Sequence, residues 1–136
     1  MIGLDTNVLV RFLAQDDPVQ GPQARDLIAS LTEAAPGFIA REVMVEIVWV
    51  LERAYGLPRD RIAAALEGLL EAREVVVEAA ERVAVALDRY GKGGAGFSDQ
   101  MIALAGVAVG CSATVTFDRK AAAGPGMQLV GDVRDH

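Results

Sequence analysis

The chain has 136 residues, a formal net charge of −6, 52% apolar residues and 24% charged residues. This length fits one domain, and this composition excludes a disordered or fibrous protein. Cys111 and His136 are the only cysteine and the only histidine. The sequence therefore excludes an internal disulfide and gives no basis for a zinc site.

Hydropathy and charge also bear on location and partners. No apolar run approaches the ~20 residues of a membrane helix, and the N-terminus lacks the basic region and cleavage site of a signal peptide. We therefore expect a cytoplasmic protein with no membrane partner. The negative net charge is unlike the basic footprint of most nucleic-acid-binding domains, although a metal bound in an acidic site would neutralise part of it.

Short apolar segments alternate with amphipathic segments along the chain. The apolar segments are typical of buried strands, and the amphipathic ones carry apolar residues at helical spacing. This alternation predicts a three-layer α/β/α fold, in which helices cover both faces of a mostly parallel sheet of about four to five strands. The predicted strands are 1–4, 38–40, 75–77, 113–117 and 127–130, and the predicted helices are 6–14, 18–33, 42–55, 59–71, 79–90 and 99–110, the last capped by Ser98.

Two aspartates come directly after predicted strands. Asp5 follows the first strand, and Asp118 follows the apolar end of the strand at 113–117. Ligands of an open parallel sheet bind at the carboxyl ends of its strands, so both carboxylates are expected at that edge. Each also has an ordinary structural explanation, Asp5 as a helix N-cap and Asp118 as a turn residue.

Glu46 and Glu42 compete for a place at this edge, because both lie on the helix predicted for 42–55. At about 100° per residue, the centre of the apolar stripe lies about 85° from Glu46 and about 125° from Glu42. Glu46 is thus predicted to border the core, where a charge is costly unless it is paired or metal-bound. Pairing with Arg41 or Arg53 is the structural alternative. The predicted stripe consists of Val43, Ile47, Val50, Leu51 and Ala54.

Asp99 opens the helix that Ser98 is predicted to cap. If that helix crosses to the strand ending at Asp118, Asp99 begins beside the carboxyl ends of the strands. An acid in a first helical turn is also common as a complement to the helix macrodipole.

Acids that gather at one sheet edge repel each other unless a cation or protons offset their charge. Carboxylate oxygens are the ligands that Mg²⁺ and Mn²⁺ prefer. The set of Asp5, Glu46, Asp99 and Asp118 therefore predicts a magnesium or manganese site, and through it phosphodiester chemistry.

Four short motifs surround these acids and follow one another along the chain. They are MIGLDTN at 1–7, Glu46 with WVL at 49–51, FSD at 97–99 with IA at 102–103, and TFD at 116–118. Together they resemble PIN-domain ribonucleases, and among these the VapC toxins of toxin–antitoxin pairs. The resemblance covers nearly the whole chain and implies a single PIN-like domain at 1–136.

The resemblance also implies an activity and partners. The implied protein is an Mg²⁺- or Mn²⁺-dependent endoribonuclease that cleaves RNA, forms a homodimer and is inhibited by a small cognate antitoxin protein. Carried over by position, the catalytic acids are Asp5, Glu46, Asp99 and Asp118, the metal ligands among them are Asp5, Asp99 and Glu46, and the supporting residues are Thr6, Asn7 and Thr116.

Other functions stay open from the residues alone. A haloacid dehalogenase-like phosphoryl-transfer enzyme also has an aspartate after its first strand, but it needs a second one where this chain has Asn7. A receiver-like domain could use Lys120, but its paired acids near the first strand are not evident, because Asp16 and Asp17 lie beyond the first helix. A non-catalytic RNA-binding or partner-binding module on the same fold is the third alternative.

Overall fold

The computed structural model describes residues 1–132, so His136 lies outside the described part of the chain. Strands and helices alternate through this part, and all strand pairs are parallel. The predicted α/β class with parallel strands is confirmed. The strands are β1 (Ile2–Gly3), β2 (Gly37–Ile39), β3 (Val75–Val77), β4 (Thr114–Thr116) and β5 (Met127–Leu129), and the helices are α1 (Thr6–Ala14), α2 (Gln20–Ser30), α3 (Arg41–Arg53), α4 (Arg59–Glu71), α5 (Ala80–Gly91), α6 (Phe97–Ala108) and α7 (Arg119–Ala122).

The chain divides into two compact units, Met1–Ala80 and Glu81–His136. The N-terminal unit contains a three-stranded parallel sheet in the order β1-β2-β3. Gly37 of β2 pairs with Ile2 on one side and with Val75 on the other. β2 is therefore the central strand of this sheet, and β1 lies at its edge.

The first strand differs from its prediction in burial. The segment 1–4 was expected to be buried throughout, but Ile2 and Gly3 are exposed and only Leu4 is buried. Within this sheet β1 pairs with β2 only. Leu4 continues the pairing through its N–H, which donates to the carbonyl of Phe38 at 2.8 Å.

Helices α1, α2 and α3 pack together in the N-terminal unit. Their buried apolar residues share a core with those of β2 and α4. Burial of such side chains stabilises the fold by roughly 1.5–3 kcal/mol each. The largest fully buried side chains of this core are Leu9, Ile39, Met44, Ile47, Leu51, Ile62 and Leu66.

Helix α2 has its first turn organised by Asp17. The Asp17 carboxylate accepts hydrogen bonds from the N–H groups of Gln20 at 2.7 Å and Val19 at 2.9 Å. The backbone carbonyl of Asp17 accepts a hydrogen bond from the N–H of Gly21 at 3.0 Å. Pro18 lies before the N-cap residue Val19, so α2 begins two residues later than the predicted start at 18. The hydrogen bonds from Gln20 and then Val19 lower the pKa of the Asp17 carboxyl below its ordinary value of 3.8.

We expect Asp17→Ala to lower stability at neutral pH, and the loss to shrink in acid. A lowered folded-state pKa means that the carboxylate contributes stability above its unfolded pKa and loses it as pH falls through the folded pKa. The difference in denaturant midpoint between the wild type and Asp17→Ala should therefore narrow below pH 3.8. Asp17→Asn keeps a hydrogen-bond acceptor without the charge. The difference in denaturant midpoint between Asp17→Asn and Asp17→Ala should therefore not vary with pH. If the difference in denaturant midpoint between the wild type and Asp17→Ala stays constant in acid, this account of Asp17 is contradicted.

The C-terminal unit contains a two-stranded parallel sheet, in which Thr114 of β4 pairs with Met127 of β5. Tyr90 at the end of α5 is fully buried and contacts Phe97 edge to face, with 6.0 Å between ring centroids. This packing places Phe97 in the first turn of α6. The short helix α7 between β4 and β5 was not predicted from the sequence.

The predicted cap of α6 is wrong by two residues. Gly96, rather than Ser98, is the N-cap, and its carbonyl accepts the helical hydrogen bond from the N–H of Gln100 at 3.0 Å. The physical reason is the burial of Phe97, which brings the residue before Ser98 into the helix. Asp99 consequently occupies the third helical position rather than the first.

Within residues 1–132, no helix is both long enough and apolar enough to cross a membrane.

Candidate functional site

Asp5 lies just past the carboxyl end of β1 and is the N-cap of α1. Its Oδ1 accepts a hydrogen bond from the N–H of Thr6 at 2.8 Å, and the residue is exposed. The carboxylate therefore satisfies a free helix N–H and also stays accessible to a ligand.

Glu46 on α3 contacts the same residue as Asp5, namely Thr6. Its Oε1 accepts a hydrogen bond from the hydroxyl of Thr6 at 3.1 Å. Thr6 thus holds both acids, Asp5 through its backbone N–H and Glu46 through its side chain. The structure brings together two acids that are 40 residues or more apart in sequence, and it gives Thr6 a position from which it supports both.

The predicted reason for preferring Glu46 over Glu42 is wrong. At about 100° per residue, the buried stripe is centred about 150° from Glu46 and about 170° from Glu42, so neither residue borders the core. Both are exposed, and Val43, Val50 and Ala54 of the predicted stripe are only half-buried or exposed. What distinguishes Glu46 is its contact with Thr6, which depends on the packing of α1 against α3. The buried stripe of α3 consists of Met44, Ile47, Val48 and Leu51.

A cavity of about 420 Å³ opens beside these acids, and we call it the acidic cavity. Its polar lining offers carboxylate, hydroxyl and amide oxygens, which match the oxygen ligands that Mg²⁺ and Mn²⁺ prefer. Across residues 1–132, no three acidic, cysteine or histidine side chains form a group that could hold a metal ion. The residues that line the acidic cavity are Asp5, Thr6, Asn7, Val10, Arg11, Glu46, Val50, Ala54 and Tyr55.

Two polar lining residues, Arg11 and Tyr55, were not predicted to belong to the site. Arg11 lies four residues after Asn7 on α1, and this i+4 spacing, which a helical projection shows, could have indicated it. Tyr55 follows α3 and could not be placed from sequence, because its position depends on where that helix ends.

A further acid sits at a strand end without having been predicted. Glu78 follows β3, and its Oε1 accepts a hydrogen bond from the N–H of Arg41 at 3.1 Å. The signal that singled out Asp5 and Asp118, an acid after an apolar strand, could have found it. Its contact with the first residue of α3 marks it as a helix cap.

Asp99 lies in the C-terminal unit, in the first turn of α6, and is half-buried. Its Oδ2 lies 3.5 Å from the position that a Cβ on Gly96 would occupy. The carboxylate is therefore close to the helix N-terminus, where the macrodipole favours a negative charge. Its predicted role as a metal ligand stays a prediction.

Asp118 also lies in the C-terminal unit, directly before α7. Its Oδ1 accepts hydrogen bonds from the N–H groups of Lys120 at 2.8 Å and Ala121 at 3.1 Å. Thr116 supports this turn, because its Oγ1 accepts from the N–H of Asp118 at 3.0 Å. Asp118 thus caps α7, and any catalytic role would be an addition to that one.

The described elements define an α/β class with parallel strands, and the acidic cavity lies near the end of β1 in the N-terminal unit. The chain belongs to the PIN domain family, whose profile matches residues 2–125. PIN domains are typically nucleases, and these commonly use divalent metals. No curated protein shows significant sequence similarity to the chain.

Proposed function

We propose that this protein is an Mg²⁺- or Mn²⁺-dependent endoribonuclease. The observation that carries the proposal is the convergence of Asp5 and Glu46 on Thr6 in the acidic cavity of a PIN domain. Family membership favours this function over haloacid dehalogenase-like or receiver-like phosphoryl transfer. A non-catalytic binding module on the same fold is separated from it by the test below.

The residues of the acidic cavity fit the binding of a divalent cation by oriented carboxylates. Asp5 and Glu46 would hold the cation, which supplies polarisation of a phosphoryl oxygen and a lower pKa for a bound water. Thr6 fixes one oxygen of each carboxylate, so both acids are oriented before substrate arrives. Glu46 would direct the attacking water in line with the leaving 3′ oxygen of the RNA.

The remaining predicted acids and supporting residues belong to the same proposal. Asp99 is proposed as the other principal metal ligand and Asp118 as a fourth catalytic acid, supported by the motifs at 97–99 and 116–118. Asn7 lines the acidic cavity beside Asp5 and Thr6. Its amide is suited to hold a carboxylate or a metal-bound water.

We further propose that the nuclease is the toxin of a toxin–antitoxin pair, active as a cytoplasmic homodimer. The support is the resemblance of the four ordered motifs to VapC toxins. A crowded acidic site is a natural receptor for an arginine, so a small antitoxin would inhibit by inserting one. A neighbouring gene encoding a small DNA-binding protein with an arginine-bearing tail would support this proposal.

Metal removal tests the enzymatic function directly. The purified protein should cleave a labelled single-stranded RNA in Mg²⁺ and in Mn²⁺, and EDTA should abolish cleavage, because the carboxylates of Asp5 and Glu46 cannot supply the positive charge of the lost cation. Returning excess Mg²⁺ should restore the activity.

Undiminished cleavage in EDTA contradicts the metal mechanism. RNA binding without turnover under any of these conditions supports the non-catalytic module instead. Transfer of a phosphoryl group from acetyl phosphate to the protein would point to the phosphoryl-transfer alternatives.

A further inference from the structure

Arg11 is the one basic residue among the residues that line the acidic cavity. It follows Asp5 by six residues on α1, which corresponds to an axial rise of about 9 Å. Arg11 also lines a neighbouring cavity of about 260 Å³ beside α2. Arg11 thus borders both the acidic cavity and the cavity beside α2.

The position of Arg11 is fixed by its neighbours. Its Nε donates to Oε1 of Gln20 at 2.9 Å, and its Nη1 lies 3.9 Å from Oδ1 of Asp16. Tyr55 holds Asp16 in turn, because its hydroxyl lies 3.1 Å from Oδ2 and 3.2 Å from Oδ1. The first turn of α2 and the segment after α3 therefore orient one guanidinium together.

This arrangement leaves Arg11 suited to a second anion. The contact with Asp16 is beyond hydrogen-bond distance, and the short contact is to a neutral amide, so the positive charge is only loosely neutralised. The Arg11 side chain is 35% exposed. A planar guanidinium held in place matches the geometry of a phosphate better than a lysine does.

We propose that Arg11 binds the phosphate next to the one that is cleaved, that Gln20 orients its guanidinium, and that Asp16 competes with the phosphate for it. This inference rests on the proposed ribonuclease function and adds a substrate contact to it. The contact lets a net-negative protein hold the RNA backbone beside its own acids. The charge of Arg11 offsets the repulsion between those acids and the flanking phosphate.

The first test compares Arg11→Gln with Arg25→Gln in steady-state cleavage of a single-stranded RNA in Mg²⁺. Arg25 is a matched control, since it also pairs with an aspartate, Asp26, at 3.6 Å, but it does not line the acidic cavity. Arg11→Gln should raise KM about tenfold with little change in kcat, because it removes a charged hydrogen bond to a phosphate. The slope of log KM against log salt concentration should fall by about 0.7, as expected for one lost phosphate contact on a single strand. Arg11→Lys should retain the salt slope, with a KM between those of the wild type and Arg11→Gln.

The second test predicts an effect of opposite sign. Asp16→Asn removes a carboxylate that competes with phosphate for Arg11, so it should lower KM by about two- to fivefold relative to the control Asp26→Asn. A purely structural role for the Arg11–Asp16 pair predicts an unchanged or higher KM. This measurement decides the inference even if Arg11→Gln does not fold.

The outcomes separate the inference from the proposed function. If the wild type cleaves in Mg²⁺ but Arg11→Gln and Arg25→Gln have equal KM values and salt slopes, the role of Arg11 is overturned and the nuclease stands. The same conclusion follows if Asp16→Asn has a KM equal to or above that of Asp26→Asn. If the wild type does not cleave RNA at all, both proposals fall.

Discussion

Asp5→Asn is expected to reduce Mg²⁺-dependent RNA cleavage by at least about a hundredfold while the protein stays folded. The amide removes the charge that would bind the cation, and loss of a direct ligand should exceed the roughly 10–100-fold cost of losing an outer partner. Asparagine is as good an N-cap as aspartate, so its side-chain oxygen can still accept from the N–H of Thr6. Cleavage rates and thermal unfolding of the same preparations should therefore separate activity from stability.

The chain offers a closely matched control for this substitution. Asp60 accepts from the N–H of the next residue, Arg61, at 3.0 Å, as Asp5 does from Thr6, but it does not line the acidic cavity. Asp60→Asn should cleave like the wild type. Asp99→Asn should lose activity as Asp5→Asn does, because the family resemblance places it among the ligands. Wild-type cleavage by Asp5→Asn removes the basis of the proposed metal site.

Glu46→Gln is expected to reduce kcat/KM by about 10–100-fold, and Glu42→Gln by no more than about twofold. Both residues are exposed on α3, one helical turn apart, so the substitutions change the same charge on the same helix. They differ in that Glu46 accepts from the hydroxyl of Thr6 and lines the acidic cavity. Glutamine keeps an acceptor for that hydroxyl, so the loss would report on the missing charge.

Equal activities for the two variants would falsify the assignment of Glu46 to the site. If Glu42→Gln loses more activity than Glu46→Gln, Glu42 rather than Glu46 is the third acid of the site. The stabilities of both variants should stay close to that of the wild type, because substitutions at exposed positions usually change stability little.

Most of the secondary structure could be predicted because it depends on local patterns. Helices α1 and α4 and strand β3 have the predicted bounds, since helical spacing, a Gly-Pro boundary and a β-branched run all act over a few residues. Two departures involve packing that these local patterns do not encode. The burial of Phe97 against Tyr90 moved the start of α6, and Ile2 and Gly3 of β1 are exposed although their segment is apolar.

The residues that line the acidic cavity were predicted in part and for partly incorrect reasons. Asp5 was placed correctly by the end of an apolar strand, a signal contained in seven residues. Glu46 was chosen from a helical phase that the structure contradicts, although its contact with Thr6 supports the choice. On a helix with as many apolar residues as α3, more than one face can be assigned as the buried one. The face that is actually buried depends on which neighbouring elements pack against the helix.

The sequence by itself determined the α/β class and the order of its elements other than α7, and it supplied the candidate acids for a metal site, because these follow from periodicity and side-chain chemistry. Only the tertiary structure decided that Thr6 joins Asp5 to Glu46, and that Arg11 is held beside them by Gln20 and Asp16. These contacts arise from the packing of α1 against α2 and α3. Such packing depends on the shapes of buried side chains from distant segments, which no local pattern encodes.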